Sequence, residues 1–151
     1  MPIKDVCKDT VVCASPSTSI ADAARLMRDK HVGEVIIVKT KDRKTLGILT
    51  DRDIVTKVVA GNMDPDTIKV EDIMAKNPTV AKEQDGLFEV AKKLERSGIR
   101  RIPVTDTHGR LTGLVSIDDL YELFAAELQT LAKVASREVS NERLTSALVP
   151  Q

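Results

Sequence analysis

Two segments of this 151-residue chain place a hydroxyl and a carboxylate three residues apart. They are Gly47-Ile48-Leu49-Thr50-Asp51-Arg52-Asp53 and Gly113-Leu114-Val115-Ser116-Ile117-Asp118-Asp119. Both reduce to Gly-x-x-[Ser/Thr]-x-x-Asp, and in both an apolar strand pattern gives way to a helical one. Two chemistries suit that arrangement. A Ser or Thr followed three residues later by an acid forms a capping box, which needs no ligand. A helix start at a strand end also offers free N–H groups and the positive end of a dipole to a phosphate. A carboxylate on the first turn can then accept hydrogen bonds from both hydroxyls of a ribose. The residues alone leave both accounts open.

The elements that carry these segments are written twice. Ile3-x-Asp5-Val6-Cys7 lies over Val70-x-Asp72-Ile73-Met74 at an offset of 67. Ile20, Ala23, Ala24 and Met27 lie over Leu87, Val90, Ala91 and Leu94, and Val35-Ile36-Ile37 lies over Ile102-Pro103-Val104. One residue is lost in a loop, and the offset of 66 then sets Gly47 to Thr50 over Gly113 to Ser116 and Asp53 over Asp119. Such a duplication constrains every later assignment.

Each copy reads as β-α-β-β-α, an α/β (α+β) class. Extended segments are predicted at Val11 to Ala14 and Thr79 to Ala81, followed by amphipathic helices at Ser19 to His31 and Gly86 to Ser97. Ser17, Thr18 and Ser19 are candidate caps for the first. Strands follow at Glu34 to Lys39 and Thr45 to Leu49, then at Arg101 to Thr105 and Leu111 to Val115, with polar turns between. A second helix opens at Asp51 and at Ile117, and the first of these stops at Gly61-Asn62. Neither copy can bury both faces of its sheet alone, so the two are expected to pack together with pseudo-twofold symmetry.

The totals narrow the function. Twenty-three basic residues balance twenty-three acidic ones, which gives no net attraction for nucleic acid or an anionic membrane. Phe88, Tyr121 and Phe124 are the whole aromatic set, too few for a base-stacking platform. No apolar run approaches the roughly 18 residues of a membrane span, and charges stand where a signal peptide would be apolar. Cys7 and Cys13 lie six positions apart with no nearby His, unlike a zinc spacing, and read as small residues beside a strand. A cytoplasmic location without metal is expected.

The duplication, the junction motif and the segment Ser97-Gly98-Ile99-Arg100-Arg101-Ile102-Pro103-Val104 resemble a CBS domain pair, or Bateman module, over about Ile3 to Leu128. The resemblance implies a stand-alone regulatory module, without catalytic residues or a catalytic cofactor. It would bind an adenine nucleotide (AMP, ADP or ATP) or S-adenosylmethionine. It implies one site at Thr50 and Asp53, walled by Met74, Thr79, Val80 and Ile99. The other is at Ser116 and Asp119, walled by Val12, Cys13, Val32 and Gly33. Arg100 and Arg101 stand where nucleotide-sensing members read phosphate, and a guanidinium suits that task through two parallel hydrogen bonds. They are expected to serve the Ser116/Asp119 site. At the same place the first copy has Gly33-Glu34, repulsive to phosphate, with Arg52 as a compensating cation. An ordinary solvated pair at a strand start is the competing account of Arg100-Arg101.

The expected division is 1–62 for the first CBS domain, 63–69 for a linker, 70–128 for the second domain, and 129–151 for a helical extension and tail. No helix breaker occurs from Ile117 to about Val139, and Leu120, Phe124, Leu128, Leu131, Ala135 and Val139 continue one apolar stripe. A homodimer through helices is the expected outcome, with an unidentified target protein as a further partner. Two other functions use the same letters. One is a structural dimerisation or docking module with empty clefts. The other is a haloacid-dehalogenase-like phosphatase, since Asp51-x-Asp53-x-Val55 resembles its nucleophile motif. The duplication opposes the latter, because Ile117 replaces the first acid in the second copy.

Overall fold

A computed structural model describes residues 1–147. These form two compact units, residues 1–116 and a helix beyond them, and the expected tail past 147 lies outside the described residues. Within the first unit, one sheet has the order β1 (Cys13–Ala14), β2 (Glu34–Val38), β3 (Thr45–Thr50), β4 (Ala75–Lys76). The other has the order β5 (Ala81–Lys82), β6 (Arg101–Thr105), β7 (Leu111–Ser116). In each sheet a parallel pair precedes an antiparallel hairpin, and the register shifts at equivalent points, Ile37/Val38 and Val104/Thr105. The mixed α+β fold of tandem repeats is therefore as the sequence implies, with strand ends moved by a residue or two.

Helix α1 (Ile20–Lys30) begins where Ser19 accepts the amide of Asp22, and ends at His31, which takes a left-handed conformation. Its apolar residues Ile20, Ala23 and Met27 cover Val35, Ile37 and Leu49 of the first sheet. The alternate residues Ile36 and Val38 turn to the opposite face, against Leu111 of the second copy. That is the period-two consequence of a sheet buried on both sides. Helix α4 (Leu87–Ser97) repeats α1 in the second copy, with Val90 and Leu94 buried.

The copies exchange segments. The turn at Ile3–Asp5 belongs to the first repeat in sequence, yet the Ile3 amide donates to Asp85 O and the Lys4 amide to Glu83 O. Conversely, helix α3 (Val70–Ile73) and β4 belong to the second repeat. They close the first sheet, with Val70 N donating to Thr18 O and Ala75 facing Ile48. A segment of each repeat thus packs on the sheet of the other. Lys8 pairs with Leu114 as Ala75 pairs with Ile48, so the exchange is reciprocal.

The crossing explains the glycine of the junction motif. A Cβ on Gly47 would come within 2.5 Å of Met74 Sδ and 2.8 Å of Ala75 O; on Gly113 it would meet Cys7 Sγ at 2.5 Å. Both glycines admit the exchanged segment.

Helix α2 (Asp51–Asp53) runs directly into a π-helix at Ile54–Val59, where Ala60 N donates to Val55 O. The Thr56 hydroxyl donates to Arg52 O at 2.7 Å, which engages a carbonyl the regular ladder would use. Asn62 takes the left-handed conformation expected of the Gly61-Asn62 stop. In the second unit, α5 (Ile117–Ala147) is one continuous helix of 31 residues. No described helix is long and apolar enough to cross a membrane.

Candidate functional site

The end of β3 and the start of α2 place Thr50 and Asp53 at the edge of a cleft of about 670 Å³. Thr50 is extended, and its hydroxyl accepts the Asp53 amide at 3.1 Å. Asp53 Oδ2 in return accepts the Thr50 amide at 3.0 Å and the Thr50 hydroxyl at 2.9 Å. The capping box is therefore fully formed. Lys57, one turn on, holds Asp53 Oδ1 at 3.0 Å and also donates to Ile73 O, tying the site to the exchanged segment. Burial raises the Asp53 pKa, but the bonds from Lys57 and Thr50 outweigh it and hold this carboxyl below its ordinary value. A carboxylate offers about four acceptor positions. Three are used here, so the cap leaves room for one further donor without rearrangement.

The opposite wall comes from the second copy: Pro78, Thr79, Ser97, Gly98, Ile99, Arg100 and Arg101. Ile36, Ile48, Ile99 and Leu114 supply apolar surface, and Thr79 and Ser97 share a hydrogen bond of 3.0 Å. The charged lining is balanced, with Glu34, Asp51 and Asp53 against Arg52, Arg100 and Arg101. Arg101 forms an ion pair with Glu34 across the copies. Burial pushes the Glu34 carboxyl above its ordinary value; Arg101 pulls it back in part, and Asp51 adds to the rise.

Several expected site residues thus lie together: Thr50, Asp53, Arg52, Thr79 and Ile99 share this cleft. Arg100, Arg101 and Gly33 are the residues expected at the Ser116/Asp119 site. The structure puts all three in the wall of the Thr50/Asp53 cleft. The reason lies in the symmetry: Glu34 and Arg101 are equivalent positions of the two copies, and equivalent positions meet where a pseudo-twofold axis passes. Ser116 is buried at the end of β7, and Asp119 lies in the first turn of α5, in the other unit. Met74, Val12 and Val32 pack against the core beneath α1, and Cys13 against the core shared by the sheets, all outside the cleft lining. Val80 is half-buried and also outside it. Cys7 and Cys13 are free thiols, and no metal-binding cluster of His, Cys, Asp or Glu occurs among the described residues.

Sequence reasoning missed two participants. Lys57 could have been found from its i,i+4 spacing to Asp53. Glu34 was weighed only as a phosphate repellent in its own copy, whereas its partner is a guanidinium of the other.

Comparison with known proteins agrees with this architecture. The family model of the CBS domain matches residues 3–60 and 70–126. The chain is 34% identical over 121 residues to protein MK0525 of Methanopyrus kandleri, covering 80% of this chain and 61% of that protein's length. Among solved structures it is similar to the CBS domain pair of protein MJ0100 in complex with 5′-methylthioadenosine and S-adenosylmethionine, at 29% identity and a TM-score of 0.74, over 84% of this chain and 98% of the other. The CBS domain protein PAE2072 of Pyrobaculum aerophilum, complexed with AMP, shares the fold at 24% identity and a TM-score of 0.73, over 80% and 90%.

Proposed function

The chain belongs to the CBS domain family, and from that premise we propose that it is a non-catalytic regulatory module that binds an adenosine-containing ligand in the Thr50/Asp53 cleft. One observation carries the reading. A single cleft combines apolar walls able to sandwich a base, a hydroxyl–carboxylate pair able to reach a ribose, and cations from the opposite copy. The ligands of the MJ0100 pair share an adenosine moiety, which is the part these walls would hold. AMP, ADP, ATP and S-adenosylmethionine are the candidates. Thermal unfolding against this panel tests the proposal. A ligand at a hundred times its dissociation constant adds about 2.7 kcal/mol of stability, and a panel that leaves the midpoint unmoved refutes it.

A role in assembly is favoured by a separate observation. Leu128, Leu131, Val134 and Val139 of α5 are each about half to two-thirds exposed. An apolar ridge of this kind is normally covered. The proposed cover is the same helix of a second copy, in antiparallel sense. Residues 117–132 carry four acids and no base, whereas 133–147 carry three bases and two acids. Parallel pairing would align the acids; antiparallel pairing separates them. Light scattering at micromolar concentration tests this: a dimer lost on truncation after Ala126 supports it, and a full-length monomer refutes it.

A further inference from the structure

Glu34 opens β2 and Arg101 opens β6. They are 67 residues apart, which is the repeat offset, so the duplication has placed opposite charges at one equivalent position. The two side chains meet each other. The Glu34 side chain is 12% exposed and that of Arg101 45%, which makes the carboxylate the more deeply held partner. Asp51 of α2 also faces Glu34, and Arg52, Asp53 and Arg100 complete the charged lining.

A phosphate entering this cleft meets a guanidinium already engaged. To take Arg101 it must break the pair, and it then lies beside two carboxylates, Glu34 and Asp51. A ligand whose tail is neutral or carries a sulfonium or ammonium meets the same carboxylates without that conflict. We propose that Glu34 is the charge-selecting residue of the cleft: it holds Arg101 as an internal counter-ion and so favours adenosyl ligands with neutral or cationic tails over those with phosphates. This rests on the adenosine-binding reading above, and names the ligand class within it.

The experiment is calorimetric titration of adenosine, AMP and S-adenosylmethionine into the full chain and its Glu34→Gln variant. Gln keeps the shape and removes the charge. AMP should bind about tenfold more tightly to the variant, the scale of one partly buried charge interaction. Adenosine should change by less than about twofold, and S-adenosylmethionine should weaken. The single variant Arg101→Gln and the double variant Glu34→Gln/Arg101→Gln complete the cycle: with Arg101 absent, the gain for AMP from Glu34→Gln should be smaller, because only the repulsion by Glu34 is then relieved. Unchanged or weaker AMP binding in Glu34→Gln, with adenosine unaffected, overturns the selector and leaves the adenosine reading intact. Equal changes for adenosine and AMP also overturn it, because the effect then lies in the shape of the site. If no panel member binds either protein, the adenosine reading falls, and the selector with it.

Discussion

The two copies share a strand-to-helix junction, but the helices that follow it differ. In the first copy the junction is capped by Thr50 and Asp53, clamped by Lys57, and followed by a π-helix that ends at Asn62. In the second, Ile117 opens a helix that runs to Ala147. At the start of the preceding hairpin the first copy has Glu34 and the second has Arg101. A duplicated chain that folds back on itself brings equivalent positions together, so identical charges there would repel. Divergence to Glu and Arg converts that repulsion into a pair. The lesson is that asymmetry between repeats is legible as complementarity once the axis is known. The hairpin turns make the same point in reverse, since the equivalent residues Lys44 and Arg110 also meet and are both basic.

The largest effect should come from the glycines that admit the exchanged segments. Gly47→Ala would press a methyl against the Met74 sulfur and the Ala75 carbonyl, the latter at 2.8 Å. Gly113→Ala meets mainly the Cys7 side chain, with the Lys8 carbonyl at 3.1 Å. Overpacking of this kind costs roughly 1–3 kcal/mol. The expectation is a loss near the upper end for Gly47→Ala and near the lower end for Gly113→Ala, measured by denaturant unfolding. Equal losses would mean that the two crossings are equivalent after all.

Next in size is the difference between the junction carboxylates. Asp53→Ala removes the reciprocal cap and the partner of Lys57, for which about 1–2 kcal/mol of stability is expected. It should also weaken an adenosine ligand by about tenfold or more, near the worth of one charge-assisted hydrogen bond. Asp119→Ala should weaken the same ligand less, because Arg100 and Arg101 line the cleft of Asp53. A larger ligand effect at Asp119 would reverse the assignment of the principal site.

Much of this architecture is legible in the amino-acid sequence. The duplication, the helix start at Ser19 and the stop at Asn62 follow from local periodicity and turn chemistry, which act over a few residues. The segment exchange was not readable, because the pattern of Ile3 to Cys7 fits either sheet equally well and only packing selects one. The cleft that Arg101 lines was not readable for the same reason. Residues 100 and 101 lie nearest in sequence to Ser116 and Asp119, whereas the fold sets them across from Thr50 and Asp53. The π-helix is accompanied by a hydroxyl bond from Thr56 to Arg52 O, and no periodicity announces it. The capping and ribose accounts of Thr50 and Asp53 were both open from the sequence. The structure shows the cap complete.

The smallest effect concerns how the cleft's carboxylates titrate, and it sharpens the comparison most. Asp53 is held below its ordinary pKa by Lys57 and Thr50 in spite of burial. Its contribution to stability is present above the usual aspartate range and is lost as pH falls through its depressed folded value. Glu34 behaves oppositely: burial outweighs Arg101, so its folded pKa lies above the ordinary glutamate value. Its contribution is fully present below the ordinary glutamate pKa and is lost as pH rises through the raised folded value. The Glu34→Gln variant cannot lose it. Its stability relative to the parent should therefore rise between about pH 4 and pH 7, by about 1 kcal/mol or less given a half-exposed partner. Thermal midpoints of the two proteins across that range decide the matter. A difference that stays flat, or that falls with pH, would show that Arg101 fully compensates the carboxylate and that the pair stabilises the fold as an ordinary salt bridge.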